Sequence, residues 1–350
     1  MNSREFFIDG IRVADDTDCY VIAEIGHNHQ GDVEQAKKMI QAAAAAGATA
    51  AKLQKRDNRA LFTKNYFDRP YSSENSFGDT YGKHREFLEF GESEYKDLQA
   101  FSRSVGITFF ATAFDFESAD FLGGLNMPAF KVASGDLTNI PLIKYLARFD
   151  KPLILSSGGG TLEDVDRAVN ALREVDAEYC IMQCTAGYPP AWEELNISVI
   201  STFRERYEEA VVGFSSHDNG IAMAVAAHVL GARVVEKHFT LNRAMKGTDH
   251  AFSLEPQGLG KMVRDLRRLK LAMGDGVKCQ YPSEKEPLTK MGKRLVASIN
   301  IAAGTVLTRE HIAIKSPGGG TPPYWLDEII GKRISSALDV DQDILFENLS

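Results

Sequence analysis

Eight short runs rich in β-branched and aromatic residues, each followed by a segment of helical periodicity, limit this chain to very few folds. They read YVIAEIG from Tyr20, TAAKLQ from Thr49, ITFFATAF from Ile107, AFKVAS from Ala129, PLILSSG from Pro152, YCIMQCT from Tyr179, AVVGFSS from Ala210 and RVVEKHF from Arg233. Alternating with stretches such as VEQAKKMIQAAAAAGA and GIAMAVAAHVLGA, they form the pattern of βα units and a parallel sheet. Several helical stretches end at a glycine, which takes the left-handed C-cap without steric cost. Eight βα units in about 270 residues have the size of a closed (β/α)8 TIM barrel. A doubly wound open sheet is the competing arrangement, and eight repeats favour closure.

A barrel makes its own prediction, because functional groups gather at the C-terminal ends of its strands. The ends of the eight runs carry Glu24; Lys52 and Gln54; Thr112; Lys131 and Ser134; Ser156 and Ser157; Thr185; Ser215 and His217; and Glu236 and His238. No comparable cluster marks the opposite ends. The last run is the sharpest case. VVEKHFTL sets Glu236, Lys237 and His238 inside what looks like a buried strand, and charged groups are almost never fully buried unless they are paired or meet a ligand. A strand whose far end faces a site reconciles the two.

The 350 residues include 40 Lys or Arg against 48 Asp or Glu, a net charge of -8. That balance argues against nucleic acid or an anionic membrane as a partner, so an anionic substrate would need a local basic pocket. Cys19, Cys180, Cys184 and Cys279 form no C-x-x-C pair, and the opening MNSREFFIDG has no apolar signal core. Reduced thiols in a cytoplasmic protein are therefore expected. Cys180 and Cys184, four apart on one strand, share a face and read as core thiols. Gly158 to Gly160 lacks a phosphate-loop fingerprint and reads as a plain loop.

Two stretches break the repeat. Leu61 to Phe90 is too long for an ordinary connection and dense in aromatics, hydroxyls and cations, which marks it as functional; Arg69, Lys83, His84 and Arg85 are its candidate phosphate contacts. After the barrel (1–275), residues 276–293 read as a linker and 294–350 as a small β-rich domain near the lower size limit for independent stability.

The strand-end groups suggest a chemistry. Lys52 and Lys131, with Thr112, Ser134, Ser157 and Ser215, can bind a phosphate or carboxylate through charge-assisted hydrogen bonds; alternatively each lysine pairs with Glu24, Asp136 or Glu236. His217 and His238, on neighbouring strand ends, suit two imidazole ligands of a divalent metal, with open positions for water and substrate oxygens. Glu24 and Asp136 are the candidates for proton transfer, since carboxylates near lysines can be tuned for it.

The motifs AEIGHNHQGD, AKLQK, FKVASGD, QCTAGYP, GFSSHDNG, EKHFTL and KGTDHAFSLEP recur in the order that resembles the sialic acid synthase family. Such enzymes condense phosphoenolpyruvate with N-acetylmannosamine or its 6-phosphate; the long insert and the SGD motif look most like the animal-type members that use the 6-phosphate. The resemblance implies that Lys52, Thr112, Lys131, Ser134 and Ser215 surround phosphoenolpyruvate and that His217 and His238 hold Mn2+ or Mg2+. It implies that Glu24, Tyr188 and Asp249 contact the sugar and that Asp136 takes the position implicated in activating water. The tail resembles the family's antifreeze-like (SAF) domain, which implies a domain-swapped homodimer. Three positions depart from the bacterial pattern: Ala186 stands where many members have Asn, Asp136 where they have Glu, and Ser316 where several supply an arginine. A synthase for legionaminic, pseudaminic or deaminated nonulosonic acid, and a non-catalytic sugar-binding relative, are the alternatives.

Overall fold

The computed structural model describes residues 4–350 and separates into two compact units, Met1–Met273 and Gly274–Ser350. In the first, eight parallel strands close into a barrel. They are β1 (Tyr20–Gly26), β2 (Ala50–Lys55), β3 (Thr108–Ala113), β4 (Phe130–Val132), β5 (Leu153–Ser156), β6 (Tyr179–Cys184), β7 (Val211–Ser216) and β8 (Val234–His238). All eight runs named from the sequence are strands, and they are buried on both faces, as a helix-covered parallel sheet requires.

The covering helices are α1 (Val33–Ala45), α2 (Glu92–Ser104), α3 (Phe116–Gly124), α4 (Ile140–Ala147), α5 (Leu162–Arg173), α6 (Val199–Arg206), α7 (Ala222–Val229) and α8 (Pro256–Met273). Their starts are written in the chain. The Asp32 carboxylate accepts the Glu34 and Gln35 N–H groups ahead of α1, and Thr161 and Asp164 form a reciprocal capping box ahead of α5, satisfying donors that have no helical partner. Helix α1 buries Ala36, Met39, Ile40 and Ala43, the three-and-four spacing of one apolar stripe.

A short antiparallel hairpin, Glu5–Ile8 with Ile11–Ala14, precedes β1. Its turn residues Asp9 and Gly10 both have positive φ, the twist-matched geometry of a two-residue hairpin loop. Phe6, Ile8 and Val13 join the barrel core, and Thr108, the first residue of β3, donates to the Asp9 carboxylate. The hairpin therefore sits at the N-terminal end of the barrel.

The insert after β2 carries three short helices, Asn58–Leu61, Lys64–Phe67 and Tyr81–Leu88. Its aromatics pack on one another: Tyr81 meets Phe62, Tyr66 and Tyr71 at ring-centroid distances of 5.2, 4.9 and 5.6 Å.

In the second unit, Arg294–Ala297 pairs antiparallel with Ile312–Lys315 over a small core that includes Leu295, Ile301, Leu307, Ile312, Ile334 and Ile344. The preceding stretch, expected as linker, carries the helix Lys285–Met291.

Candidate active site

Strand register builds the site. Glu24 pairs with Lys52 on one side and His238 on the other; Gln54 pairs with Thr112, which pairs with Lys131; Ser215 lies between Cys184 and Glu236. Side chains alternate along a strand, so these positions point inward at one level of the barrel. Strand β1 breaks register between Glu24 and Gly26. Gly26 has φ +54, and a Cβ there would come within 3.2 Å of the Glu24 and Gln54 side chains, so glycine permits both the bend and the packing.

Together these side chains line a cavity of about 530 Å3, with Arg56, Arg85, Ser134, Ser156, Tyr188, His217 and Asp249 completing its walls. At its floor the buried Lys52 ammonium donates to Thr112 Oγ1 at 2.9 Å and lies 2.5 Å from Glu24 Oε2 and 3.6 Å from Glu236. Lys131 Nζ donates to Ser156 Oγ at 2.6 Å and to the Val132 carbonyl at 3.1 Å. Burial pushes the Glu24 carboxyl above its ordinary value. Burial pushes Glu236 the same way, but Lys131 and then Lys52 outweigh it and hold that carboxyl below. Two like groups are thereby driven apart by their neighbours, the condition under which one holds a proton and the other accepts one. Glu236 Oε2 is buried and has no hydrogen-bond partner.

His217 and His238 stand with ring centroids 5.2 Å apart. Burial, reinforced by His238, draws His217 down to about 4, and burial lowers His238 as well, so both rings are neutral and can ligate. His217 Nδ1 faces the Thr185 carbonyl at 3.0 Å; donation there leaves its other nitrogen as a lone pair. His238 Nδ1 is buried without a partner, 3.9 Å from Asp249 Oδ2. Two neutral imidazoles with unspent lone pairs fit a divalent ion. Among the described residues no group of three or more His, Cys, Asp or Glu side chains forms a metal cage, so such an ion would complete its shell with water or substrate. Tyr188 packs its ring 4.0 Å from that of His217.

A second cationic pair stands in the same wall. Arg56 lies 3.7 Å over the Phe114 ring, and burial, then Arg85, lowers its guanidinium to about 10. His27 is held well below its usual value by burial and then by Arg56. Its ring meets Arg56 Nη1 at 3.4 Å through Nε2 and Arg85 Nη1 at 3.2 Å through Nδ1. A neutral imidazole has one acceptor nitrogen, so it cannot satisfy both guanidinium donors. Among the described residues neither arginine joins an ion pair.

Most strand-end expectations converge here: Glu24, Lys52, Thr112, Lys131, Ser134, Tyr188, Ser215, His217, His238 and Asp249 all line the cavity. Two do not. Ser157 turns away, donating to the Met182 carbonyl at 2.9 Å and lining a separate cavity of about 330 Å3; its neighbour Ser156 faces the site, because alternation along β5 allows only one of the two inside. Asp136 is outside the lining, carried off by the 3-10 turn Ser134–Asp136 and bound by Asn139 Nδ2 at 3.1 Å. From the insert, Arg85 reaches the cavity, whereas Lys83 pairs with Asp79 on the surface and Arg69 is exposed. Arg56 was not foreseen; it follows the last strand residue by one position, where the sequence shows only another cation.

Over residues 39–278 the chain matches the NeuB family, and over residues 294–349 the SAF domain. It belongs to the NeuB family. It is 38% identical over 332 residues to the N-acetylneuraminate-9-phosphate synthase of Mus musculus, covering 95% of this chain and 92% of that one. The synthase of the same name from Drosophila melanogaster is 39% identical over 352 residues, covering 93% and 94%. Among solved structures, the N-acetylneuraminic acid synthetase of Leptospira borgpetersenii superposes with a TM-score of 0.71 at 31% identity, covering 81% of this chain and 95% of that one. Across the described residues of this NeuB-family chain, no helix is long and apolar enough to cross a membrane.

Proposed function

We propose that the chain joins phosphoenolpyruvate to the open-chain aldehyde of an N-acylmannosamine-type sugar and releases phosphate by C–O cleavage. The observation that carries this reading is the convergence of two buried ammonium groups, four hydroxyls and two neutral imidazoles on one cavity. Lys52 and Lys131, with the hydroxyls of Thr112, Ser134, Ser156 and Ser215, would hold the phosphate and carboxylate of the enol phosphate through charge-assisted hydrogen bonds. Tyr188 and Asp249, beside the imidazoles, would orient the sugar. A divalent ion on His217 and His238 would, when bound, polarise the aldehyde.

Carbon 3 of the enol phosphate then attacks the aldehyde carbon, whose oxygen takes its proton from Glu24, the carboxyl held above its ordinary value, and the positive charge left at carbon 2 is met by the carboxylate of Glu236. Water adds at carbon 2. Glu236, with its unspent oxygen, is better placed than Asp136 to take that proton, and collapse of the adduct breaks the bond from carbon 2 to the phosphate oxygen. Arg56 and Arg85, whose guanidinium groups donate to the neutral Gln54 and Tyr81 side chains and join no ion pair among the described residues, favour an acceptor carrying a phosphomonoester, since a planar guanidinium pair suits a dianion. For the tail we propose the role that the resemblance implies, covering the site of a second copy in a domain-swapped homodimer.

The test is phosphate release. Purified protein with Mn2+, phosphoenolpyruvate and a panel of mannosamines, each with and without a 6-phosphate, should release phosphate fastest with the phosphorylated N-acyl sugar. Silence across the panel with the ion bound would reject the reading, and product masses would separate it from legionaminic, pseudaminic and deaminated products.

A further inference from the structure

Lys237 lies between Glu236 and His238 but on the opposite face of β8. Its side chain and that of Asp218 are each only 2% exposed, and their charged atoms stand 2.8 Å apart. The same ammonium donates to the Asp218 carbonyl at 2.6 Å, and the Ser216 hydroxyl donates to the Asp218 carboxylate. A buried ion pair of this kind returns little net stability, because desolvation offsets most of its attraction. Its consequence is geometric. Asp218 directly follows His217 and Lys237 directly precedes His238, so the pair couples the two residues next to the two imidazoles.

The sheet does not provide this coupling. Pairing between β7 and β8 ends at Ser216 with Lys237, so His217 and Asp218 lie one and two residues beyond the last ladder pair. The Thr185 carbonyl restrains the His217 ring from β6, not from β8. The other tether across this edge, Arg243 Nη2 to Asn219 Oδ1 at 3.1 Å, is exposed, where such contacts contribute little.

We infer that Lys237 and Asp218 are positioning residues: their ion pair fixes the separation of His217 and His238 and thereby sets the affinity for the divalent ion. The inference rests on the metal reading given above.

Binding of Mn2+ alone, without substrates or turnover, tests it by electron paramagnetic resonance or calorimetry. Lys237→Met and Asp218→Asn should each weaken Mn2+ binding roughly 10- to 100-fold, the usual effect of losing an outer contact that orients a ligand. Lys237→Arg should restore affinity to within about threefold of native, and metal-free phosphoenolpyruvate binding should change by less than about threefold in all variants. A merely structural role would lower thermal stability and leave Mn2+ affinity alone. Should a single variant fail to fold because it strands a buried charge, the double variant Lys237→Met with Asp218→Asn removes both charges and should show the same loss. Native-like Mn2+ affinity in the folded variants overturns this inference by itself. A native protein that binds neither Mn2+ nor Mg2+ overturns the metal reading and this inference with it.

Discussion

Lys131 and Lys52 do different work at the cavity floor. Lys52 is held between Glu24 and Glu236, whereas Lys131 acts on Glu236 only at longer range and hydrogen-bonds only a hydroxyl and a carbonyl. Lys131→Met therefore removes a charge-assisted contact of about 1.5–3 kcal/mol, and kcat/KM for phosphoenolpyruvate should fall roughly 10- to 150-fold. Steady-state kinetics on a folded variant would show it. Histidines near the cavity carry a pH signature. Burial and then Arg85 lower His84 to about 4, and burial holds His29 well below its ordinary value. Each is neutral when folded and binds a proton near pH 6.5 when unfolded, so its stabilising contribution is complete above that value and is lost as pH falls towards 4. Melting temperature should drop across that interval, and His84→Asn, which can still accept the Phe77 N–H, should flatten part of the slope. Residues at strand ends were legible because their parity and polarity are local facts. Ser157 was misplaced because the sequence does not say at which of two serines β5 ends, and Arg56 was missed because its approach to the cavity wall exists only in three dimensions.

Among elements, the eight strands were readable from composition and spacing, since a strand covered by helices on both sides must be apolar throughout. The N-terminal hairpin was not read, although an Asp-Gly pair between apolar runs is a strong hairpin signal; a four-residue run with no helix after it does not resemble a βα unit. Its turn can be tested separately from the site. Gly10 has φ +75 with nothing near its would-be Cβ, so Gly10→Ala introduces backbone strain and no clash. Unfolding in denaturant should show a loss of about 1–2 kcal/mol, with kcat unchanged because the hairpin sits at the end of the barrel opposite the cavity. The pairing of Lys237 with Asp218 was also beyond the sequence. Charge on β8 was visible, but its division between an inward pair and an outward one depends on the loop after β7.

For the whole molecule, closure of the barrel is what gathers groups more than 200 residues apart in sequence, such as Glu24 and His238, and that closure was inferred from repeat number alone. The tail was legible as a separate β-rich segment, while its proposed role over a partner's site rests on resemblance. Truncation after Gly292 should lower turnover at least about tenfold if the tail excludes water from the site, with light scattering reporting whether the dimer persists; unchanged turnover would end the lid reading. The central claim is that this cavity attaches carbon 3 of phosphoenolpyruvate to a sugar aldehyde and expels phosphate with its bridging oxygen. Phosphoenolpyruvate labelled with 18O at that bridge decides it by mass spectrometry: the label should appear in inorganic phosphate and solvent oxygen at carbon 2 of the product. Label retained in the sugar acid, or no product at all from any mannosamine with the ion bound, would contradict it.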